Sequence, residues 1–183
     1  EAEAVLHVER EGDSPEQVRE LIREVEDLAV NRLQLAVGSH PAIDADDRQI
    51  IGQLARQFAP TLHRLRGSTR PTPYVEDIAV PPAELPTFLQ QALESLRNRQ
   101  ITASIFAHAG HGQLHIRPLV NMADAADVVN LRGLAEELYE HVWALGGTIS
   151  GEHAEGFSRT PYALRQHGPL MAAFRELKAL FDP

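Results

Sequence analysis

The residues best suited to chemistry lie in one short segment, His108-Ala-Gly-His111-Gly-Gln-Leu-His115, which holds three of the nine histidines of the chain. If residues 109–112 form a hairpin loop, His108 pairs with Gln113, and alternation along the second strand places His115 on the same face. The two imidazoles of His108 and His115 are then diagonal neighbours about 7 Å apart, close enough to bind one metal ion. His111 is expected in the turn.

A second candidate segment, Gly151-Glu152-His153, follows the end of a predicted helix. Two histidines with the Glu152 carboxylate form a common open ligand set for Zn, Mn or Fe, which leaves coordination positions for substrate oxygens. The spacing leaves two interpretations open, a metal site or histidines that are satisfied at surface and half-buried positions. Periodicity alone does not establish that the two segments meet.

Two arginines are candidates for binding an anionic group. Arg159 could hold a carboxylate through two parallel hydrogen bonds, or it could be a solvated loop residue. Arg117 lies in the same predicted strand as His115, and we expect it on the opposite face unless the strand bends. The sequence has no glycine-rich dinucleotide fingerprint, no Walker loop and no Gly-x-Ser-x-Gly, so phosphate cradling and serine hydrolysis have no motif.

Predicted helices and strands alternate along the chain, and these elements must position the candidate residues. The combination of Ser14, Pro15 and Gln17 predicts a helix start, and Asp44 is a cap for the second helix. Apolar periodicity predicts strands at 4–9, 33–37, 74–80, 101–107 and 114–119, and helices at 15–29, 44–58, 82–96, 125–145 and 169–180. A polar segment with little periodicity spans 148–160. Because the hairpin is antiparallel, we predict an α+β fold with a ferredoxin-like core of two βαβ halves, its sheet mixed or antiparallel and covered by helices.

The composition excludes several classes of protein. The chain has 17 basic and 26 acidic residues, a net charge of −9, and Lys178 as its only lysine, so it lacks the clustered cations that bind nucleic acid. The absence of cysteine excludes disulfides, thiolate nucleophiles and cysteine metal sites within these residues. Residues 101–116 are too few and too polar to span a membrane, and no signal peptide is evident, so we expect a cytoplasmic location.

The size and the ends of the chain bear on its domain organisation. Hydrophobic residues make up 43% of the 183 residues, enough for a core, which predicts one domain over residues 1–183. The chain starts at Glu1 rather than Met and stops at Pro183, so we expect a fragment of a longer polypeptide.

Five stretches together resemble the C-terminal, substrate-cap domain of FAD-linked oxidases and dehydrogenases of the vanillyl-alcohol-oxidase superfamily. The similarity points to the D-lactate, glycolate and D-2-hydroxyglutarate dehydrogenase branch, in particular its iron–sulfur-fused bacterial members. The matching stretches are Tyr74-Val-Glu-Asp-Ile-Ala-Val-Pro81, Phe106-Ala-His-Ala-Gly-His-Gly-Gln-Leu-His-Ile-Arg-Pro118, Gly147-Thr-Ile-Ser-Gly-Glu-His153, Gly156-Phe-Ser-Arg-Thr-Pro161 and Phe174 to Pro183.

The resemblance implies roles for individual residues. His108, His115 and Glu152 match the divalent-metal ligands that hold the oxygens of a 2-hydroxy acid. His153 matches the histidine beside the flavin, a candidate base for the hydroxyl proton. Arg159 and Arg117 are the candidate substrate-binding arginines.

The resemblance also implies partners outside this chain. FAD would be bound mainly by a separate domain of the same polypeptide, and the fragment alone would be inactive. The family allows an iron–sulfur cluster elsewhere in the full chain, and a homo-oligomer. A small 2-hydroxy acid is the implied substrate. The exclusion of nucleic acid and of a membrane span comes from the composition rather than from the resemblance.

Three positions depart from the family pattern: His111, Gln113 and Ala154, where relatives often have Asp, Asn and Gly. The departures concern the substrate and flavin contacts, and Ala154 adds a Cβ in a loop that needs a special backbone conformation. Two other functions compete with the enzyme interpretation. One is a non-catalytic α+β module for metal or ligand binding or oligomerisation, and the other is a stand-alone metal hydrolase that uses the same two histidines and glutamate.

Overall fold

The computed structural model describes residues 3–183, apart from the side chains of Ala55 and Ala59. The chain divides into two compact units, a first that ends at Thr61 and a second that spans Leu62–Pro183. All the candidate residues belong to the second unit. A single cap domain over residues 1–183 therefore stays a prediction.

The first unit consists of two α-helices, and their predicted caps are confirmed. Helix α1 spans Pro15–Glu26 and continues as a π-helix over Asp27–Arg32, and helix α2 spans Ala45–Leu62. The Ser14 hydroxyl accepts a hydrogen bond from the amide of Gln17 at 3.2 Å. Asp44 accepts one from the amide of Asp47 at 2.9 Å. These caps satisfy amides that have no partner in the first helical turn.

The prediction of two strands in the first unit is wrong. Residues 4–9 and 33–37 pair with no other strand of the described chain. Their apolar side chains are open to solvent, with Val5 91% and Val37 95% exposed. A run of β-favouring residues forms a strand only where a partner accepts its backbone hydrogen bonds and a core covers one face, and neither is present here.

The second unit is built on a small antiparallel sheet. Its strands are β1 (Arg70–Pro71), β2 (Val75–Ala79), β3 (Ala103–His108) and β4 (Gln113–Val120). The central strand is β4, which pairs with β3 along one edge and with β2 and β1 in succession along the other. The predicted hairpin register is confirmed, since His108 pairs with Gln113. This register fixes which side chains of β3 and β4 share a face.

Helices complete the ferredoxin-like topology predicted from the sequence. Helix α3 (Leu85–Asn98) connects β2 to β3, and α4 (Ala125–Ala144) follows β4. A final strand is reduced to one antiparallel bridge between Thr148 and Ala79. The order β-α-β-β-α-β confirms the α+β fold class. The core contains the apolar residues of α3 and α4 and those of one sheet face, such as Phe88, Leu114 and Tyr139, all fully buried.

Two further helices close the chain, α5 (Gly156–His167) and α6 (Leu170–Phe181). The prediction that the irregular segment runs to residue 160 is wrong, because α5 already begins at Gly156. Gly156, with φ of +57°, and Pro161 inside the helix are residue types that usually interrupt helices, and they concealed it in the sequence. Among the residues that the structure describes, no helix is both long enough and apolar enough to cross a membrane.

We expect one ion pair between α3 and α4 to make stability depend on pH. Glu137 accepts hydrogen bonds from Ser95 at 2.6 Å and from Arg99 at 2.9 Å. The Ser95 bond is the main cause that lowers the pKa of Glu137, partial burial opposes it, and Arg99 lowers it further. A lowered folded-state pKa stabilises the protein above the unfolded value of about 4.3, and this contribution is lost as the pH falls through the folded value.

The variant Glu137→Gln should therefore lose about 0.5–1 kcal/mol of unfolding free energy at pH 7, a modest loss because water screens the pair. At pH 3 the difference in stability between the variant and the wild type should be smaller than at pH 7. Urea unfolding at both pH values measures this. An equal difference at pH 7 and pH 3 would contradict the account.

Candidate functional site

A bulge in β2 turns two acidic residues towards the same face of the sheet. Strand β2 carries one extra residue between Val75 and Ile78, so that Glu76 and Asp77 together oppose His115 of β4. Val75 and Ile78 are both fully buried in the core, on the other face. Asp77 adopts a left-handed backbone with φ of +65°, which aspartate tolerates better than most residues.

His115 is held by the first of these acids. Its Nδ1 lies 2.8 Å from Oε1 of Glu76, and the His115 residue is only 8% exposed. A carboxylate can only accept, so Nδ1 carries the hydrogen of the neutral ring and Nε2 keeps its lone pair. Nε2 is then the ring nitrogen that offers a lone pair to a metal ion.

Arg117 contacts the same glutamate, so the prediction that it points away from His115 is wrong. Its Nε lies 3.3 Å from Oε2 of Glu76 and its Nη2 lies 3.4 Å from Oε1. Positions 115 and 117 are two residues apart, and side chains two residues apart in a strand share a face. Arg117 therefore belongs to the same face as the histidines, with its side chain 20% exposed.

Asp77 fixes the loop that carries the second candidate segment. Its carboxylate is fully buried and accepts hydrogen bonds from Gln113 Nε2 at 2.7 Å, the Ser150 hydroxyl at 3.1 Å and the amides of Glu152 at 3.0 Å and His153 at 2.8 Å. Burial acts to raise the pKa of Asp77, but these hydrogen bonds outweigh it and hold the pKa below its usual value. The loop is tied to β2 through one ionised side chain.

The two segments that the sequence left unconnected are brought together. The rings of His108 and His115 have centroids 5.7 Å apart. His108, His115 and Glu152 offer ligand atoms that all lie within 4.8 Å of one another. Glu152 accepts a hydrogen bond from Gln113 at 2.9 Å, which orients its carboxylate. The set of two imidazole nitrogens and one carboxylate oxygen fits a divalent transition metal.

A second group of potential ligands, formed by Glu76, His115 and His153, shares His115 with the first. In this group the Glu76 carboxylate is already engaged by Nδ1 of His115 and by the Arg117 guanidinium. A cation bound there would lie beside the positive charge of Arg117, which disfavours it. The His108, His115 and Glu152 set is thus the better candidate.

His153 lies at the open side of this cluster. Its ring centroid is 5.7 Å from that of His115, and its Nε2 is 3.5 Å from a carboxylate oxygen of Glu152. The side chain is 52% exposed, so it is accessible to a molecule that approaches the cluster. His111, by contrast, lies in the turn Ala109–His111 and is not part of either ligand group.

Arg159 is placed inside the protein rather than on a solvated loop. It is only 5% exposed. Its guanidinium donates hydrogen bonds to four backbone carbonyls, those of Ile149, Glu76, Ala154 and Glu155. Its guanidinium also lies 3.8 Å from the Asp77 carboxylate. The observed role is to hold the backbone around the cluster, and a substrate-binding role for Arg159 stays a prediction.

Besides Asp77, Gly112 and Ala154 near the cluster also have positive φ. At Gly112, with φ of +72°, an added Cβ would come within 1.9 Å of the carbonyl oxygen of Val80, so the hairpin requires glycine there. Ala154 has φ of +59°, so the special backbone conformation expected at this departure from the family pattern is present. Alanine costs about 1 kcal/mol or more in this conformation relative to glycine.

Glu76 and Asp77 are the site residues that sequence reasoning did not assign. The signal was available in the adjacent pair of acids within a short strand, Val75-Glu76-Asp77-Ile78. Alternation would bury one of two adjacent acids among apolar side chains, which is costly, so the pair itself indicates a bulge.

The α+β fold and the cluster of two histidines and a glutamate beside its sheet are features that a comparison with known protein families can place. The whole chain, residues 1–183, matches the family described as FAD linked oxidases, C-terminal domain, and the chain belongs to that family.

Curated relatives show which proteins carry similar domains. The chain is 28% identical over 173 residues to D-2-hydroxyglutarate dehydrogenase of Pantoea ananatis, a match that covers 94% of the chain and 17% of the relative. It is 29% identical over 185 residues to glycolate oxidase subunit GlcD of Bacillus subtilis, covering 100% and 37%. It is 26% identical over 177 residues to D-lactate dehydrogenase of Anaerostipes hadrus, covering 94% and 36%. The chain thus spans well under half the length of these relatives.

Proposed function

We propose that this chain is the substrate-binding cap of an FAD-dependent dehydrogenase or oxidase that acts on a D-2-hydroxy acid. The observation that carries the proposal is the convergence of His108, His115 and Glu152, whose ligand atoms lie within 4.8 Å of one another. Family membership supports the link to FAD, and the named activities of the relatives support a small 2-hydroxy acid of the lactate, glycolate or 2-hydroxyglutarate type.

A divalent ion such as Zn, Mn or Fe, when bound by these three residues, would polarise the hydroxyl and carboxylate oxygens of the acid. The chain's own residues prepare the site. Glu76 leaves Nε2 of His115 free to bind, and Gln113 orients Glu152 through a hydrogen bond of 2.9 Å. Because these contacts already restrict the His115 and Glu152 side chains, less conformational entropy would be lost when they bind a metal ion.

His153 is proposed as the base that accepts the hydroxyl proton of the substrate. Its exposed ring beside the cluster can accept a proton at a ring nitrogen, and its backbone is fixed by the bond from its amide to Asp77 at 2.8 Å. FAD supplies the acceptor for the hydride that leaves the substrate carbon. In this proposal the flavin is bound mainly by a separate domain, residues 1–183 form one cap domain, and the isolated chain is inactive. Its cytoplasmic location stays a prediction.

Arg117 is the better placed of the two arginines to bind a substrate carboxylate, because it lies on the sheet face of the cluster. In the complete protein, Arg117→Met should raise KM for the acid about 10- to 100-fold with a smaller change in kcat, since an arginine–carboxylate hydrogen bond contributes about 1.5–3 kcal/mol. Steady-state kinetics measure both constants.

The control is Arg165→Met, which removes an arginine from an exposed ion pair with Glu140 on α4. This control should leave KM unchanged. An unchanged KM in Arg117→Met would remove Arg117 from the substrate site.

The proposal as a whole is tested by anaerobic flavin absorbance. The complete protein is mixed with D-lactate, glycolate and D-2-hydroxyglutarate, and with the L-enantiomers of the two chiral acids. We expect one or more of the achiral or D-acids to bleach the flavin band, and the L-acids to leave it intact. A protein without flavin, or with a flavin that none of the acids reduces, would favour the non-catalytic module instead.

A further inference from the structure

Glu76 contacts His115 of the candidate metal site but is not one of the three proposed ligands. One carboxylate oxygen accepts from His115 Nδ1 at 2.8 Å and the other lies 3.3 Å from Arg117 Nε. The Glu76 side chain is only 13% exposed. Both carboxylate oxygens are therefore committed to neighbours, and little of the side chain remains for solvent or substrate.

The position of this carboxylate is fixed from the backbone as well as from its side chain. Glu76 lies in the bulge opposite His115, and its carbonyl oxygen accepts a hydrogen bond from the buried guanidinium of Arg159. Arg117 also restrains the carboxylate, through contacts with both of its oxygens. A side chain held by one arginine and one histidine, on a backbone held by a second arginine, has little freedom to rotate away from the imidazole.

We propose that Glu76 is a positioning residue that selects the tautomer of His115 and orients its ring for metal binding. The inference rests on the proposed function, because it assumes that His115 is a ligand. A neutral imidazole has one N–H, and an acceptor-only carboxylate at Nδ1 keeps that hydrogen there. The lone pair of Nε2 is then free for a metal ion, and the hydrogen bond makes this nitrogen a stronger donor of electrons.

Two variants separate positioning from a simple charge effect. In Glu76→Gln the amide oxygen still accepts from Nδ1 but the negative charge is gone, whereas Glu76→Ala removes both the acceptor and the charge. If Glu76 positions His115, Glu76→Ala should weaken metal binding about 10- to 100-fold and Glu76→Gln distinctly less. If only the charge matters, the two variants should weaken binding equally.

The measurement is a titration of the complete, metal-free protein with Co²⁺ in competition with a chelator, followed by the visible absorption of the bound ion. The absorption reports the ligand geometry, which a general loss of stability would not change in the folded fraction. Glu137→Gln is the matched control, since it removes another partly buried glutamate paired with an arginine, far along the chain on α4. It should bind Co²⁺ as the wild type does.

The possible outcomes test the role of Glu76 and the metal site separately. Weaker binding in Glu76→Ala than in Glu76→Gln, with an altered spectrum, supports the inference. If the wild type binds Co²⁺, His108→Ala does not, and both Glu76 variants bind like the wild type or are weakened equally, positioning by Glu76 is overturned while the proposed function stands. If the wild type itself binds no Co²⁺, the proposed metal site fails and the inference fails with it.

Discussion

Replacing His108 by Ala or Glu152 by Gln in the complete protein should lower kcat/KM for a D-2-hydroxy acid by about 10²–10⁴-fold, in the range seen when a group that acts on the reacting atoms is removed. Each change removes one of the three proposed ligands, so a bound metal and the substrate oxygens would lose their fixed position. Both side chains are exposed, so the fold should be retained. Steady-state kinetics and a thermal unfolding curve for each variant measure the two effects separately.

His111→Ala provides the matched control for this prediction. His111 is an exposed histidine of the same hairpin and is absent from the ligand groups found among the described residues. We expect near wild-type kcat/KM for it. Wild-type activity in both His108→Ala and Glu152→Gln would contradict the ligand assignment, and a loss confined to His111→Ala would move the site to the turn.

The variant Asp77→Asn should cost about 2–4 kcal/mol of unfolding free energy, the second large effect that we expect. Asparagine keeps the size of the side chain and its tolerance of positive φ, so only the charge and the hydrogen-bonding pattern change. One oxygen that accepts from backbone amides and polar side chains becomes an NH₂ group, which donates and cannot accept. A buried network with an unmatched donor loses far more than one hydrogen bond.

Urea unfolding of the complete protein at pH 7 measures this loss, and Asp124→Asn is its control. Asp124 caps α4 through one hydrogen bond to the amide of Ala126 at 2.8 Å, and asparagine caps a helix about as well as aspartate does. The control should stay within about 0.5 kcal/mol of the wild type. If Asp77→Asn were as stable as Asp124→Asn, the buried carboxylate would not be the anchor of the 150–153 loop.

The hairpin was predictable because its geometry follows from local rules. Once a loop over 109–112 was assumed, strand alternation set the pairing of His108 with Gln113 and placed His115 beside His108. The observed separation of the ring centroids, 5.7 Å, is shorter than the spacing of about 7 Å expected for diagonal neighbours, but it still brings the two rings side by side. The same alternation rule also assigns Arg117 to this face.

The features that escaped prediction depend on contacts between distant parts of the chain. Residues 4–9 have the composition of a strand but no partner, and composition does not supply one. The approach of Glu152 to the hairpin depends on Asp77, which is 75 residues away in sequence and reaches the Glu152 amide through a one-residue bulge. Periodicity in β2 without that bulge would direct Glu76 and Asp77 to opposite faces.

The most direct test of the account is to remove divalent metal from the complete protein by chelation and to mix it anaerobically with the D-2-hydroxy acid that reduces its flavin. If the metal-site proposal is correct, flavin bleaching is lost after chelation and returns when Zn²⁺ or Mn²⁺ is added back, but does not return in His108→Ala. Bleaching at the same rate before and after chelation, with no bound metal found by elemental analysis, would contradict it.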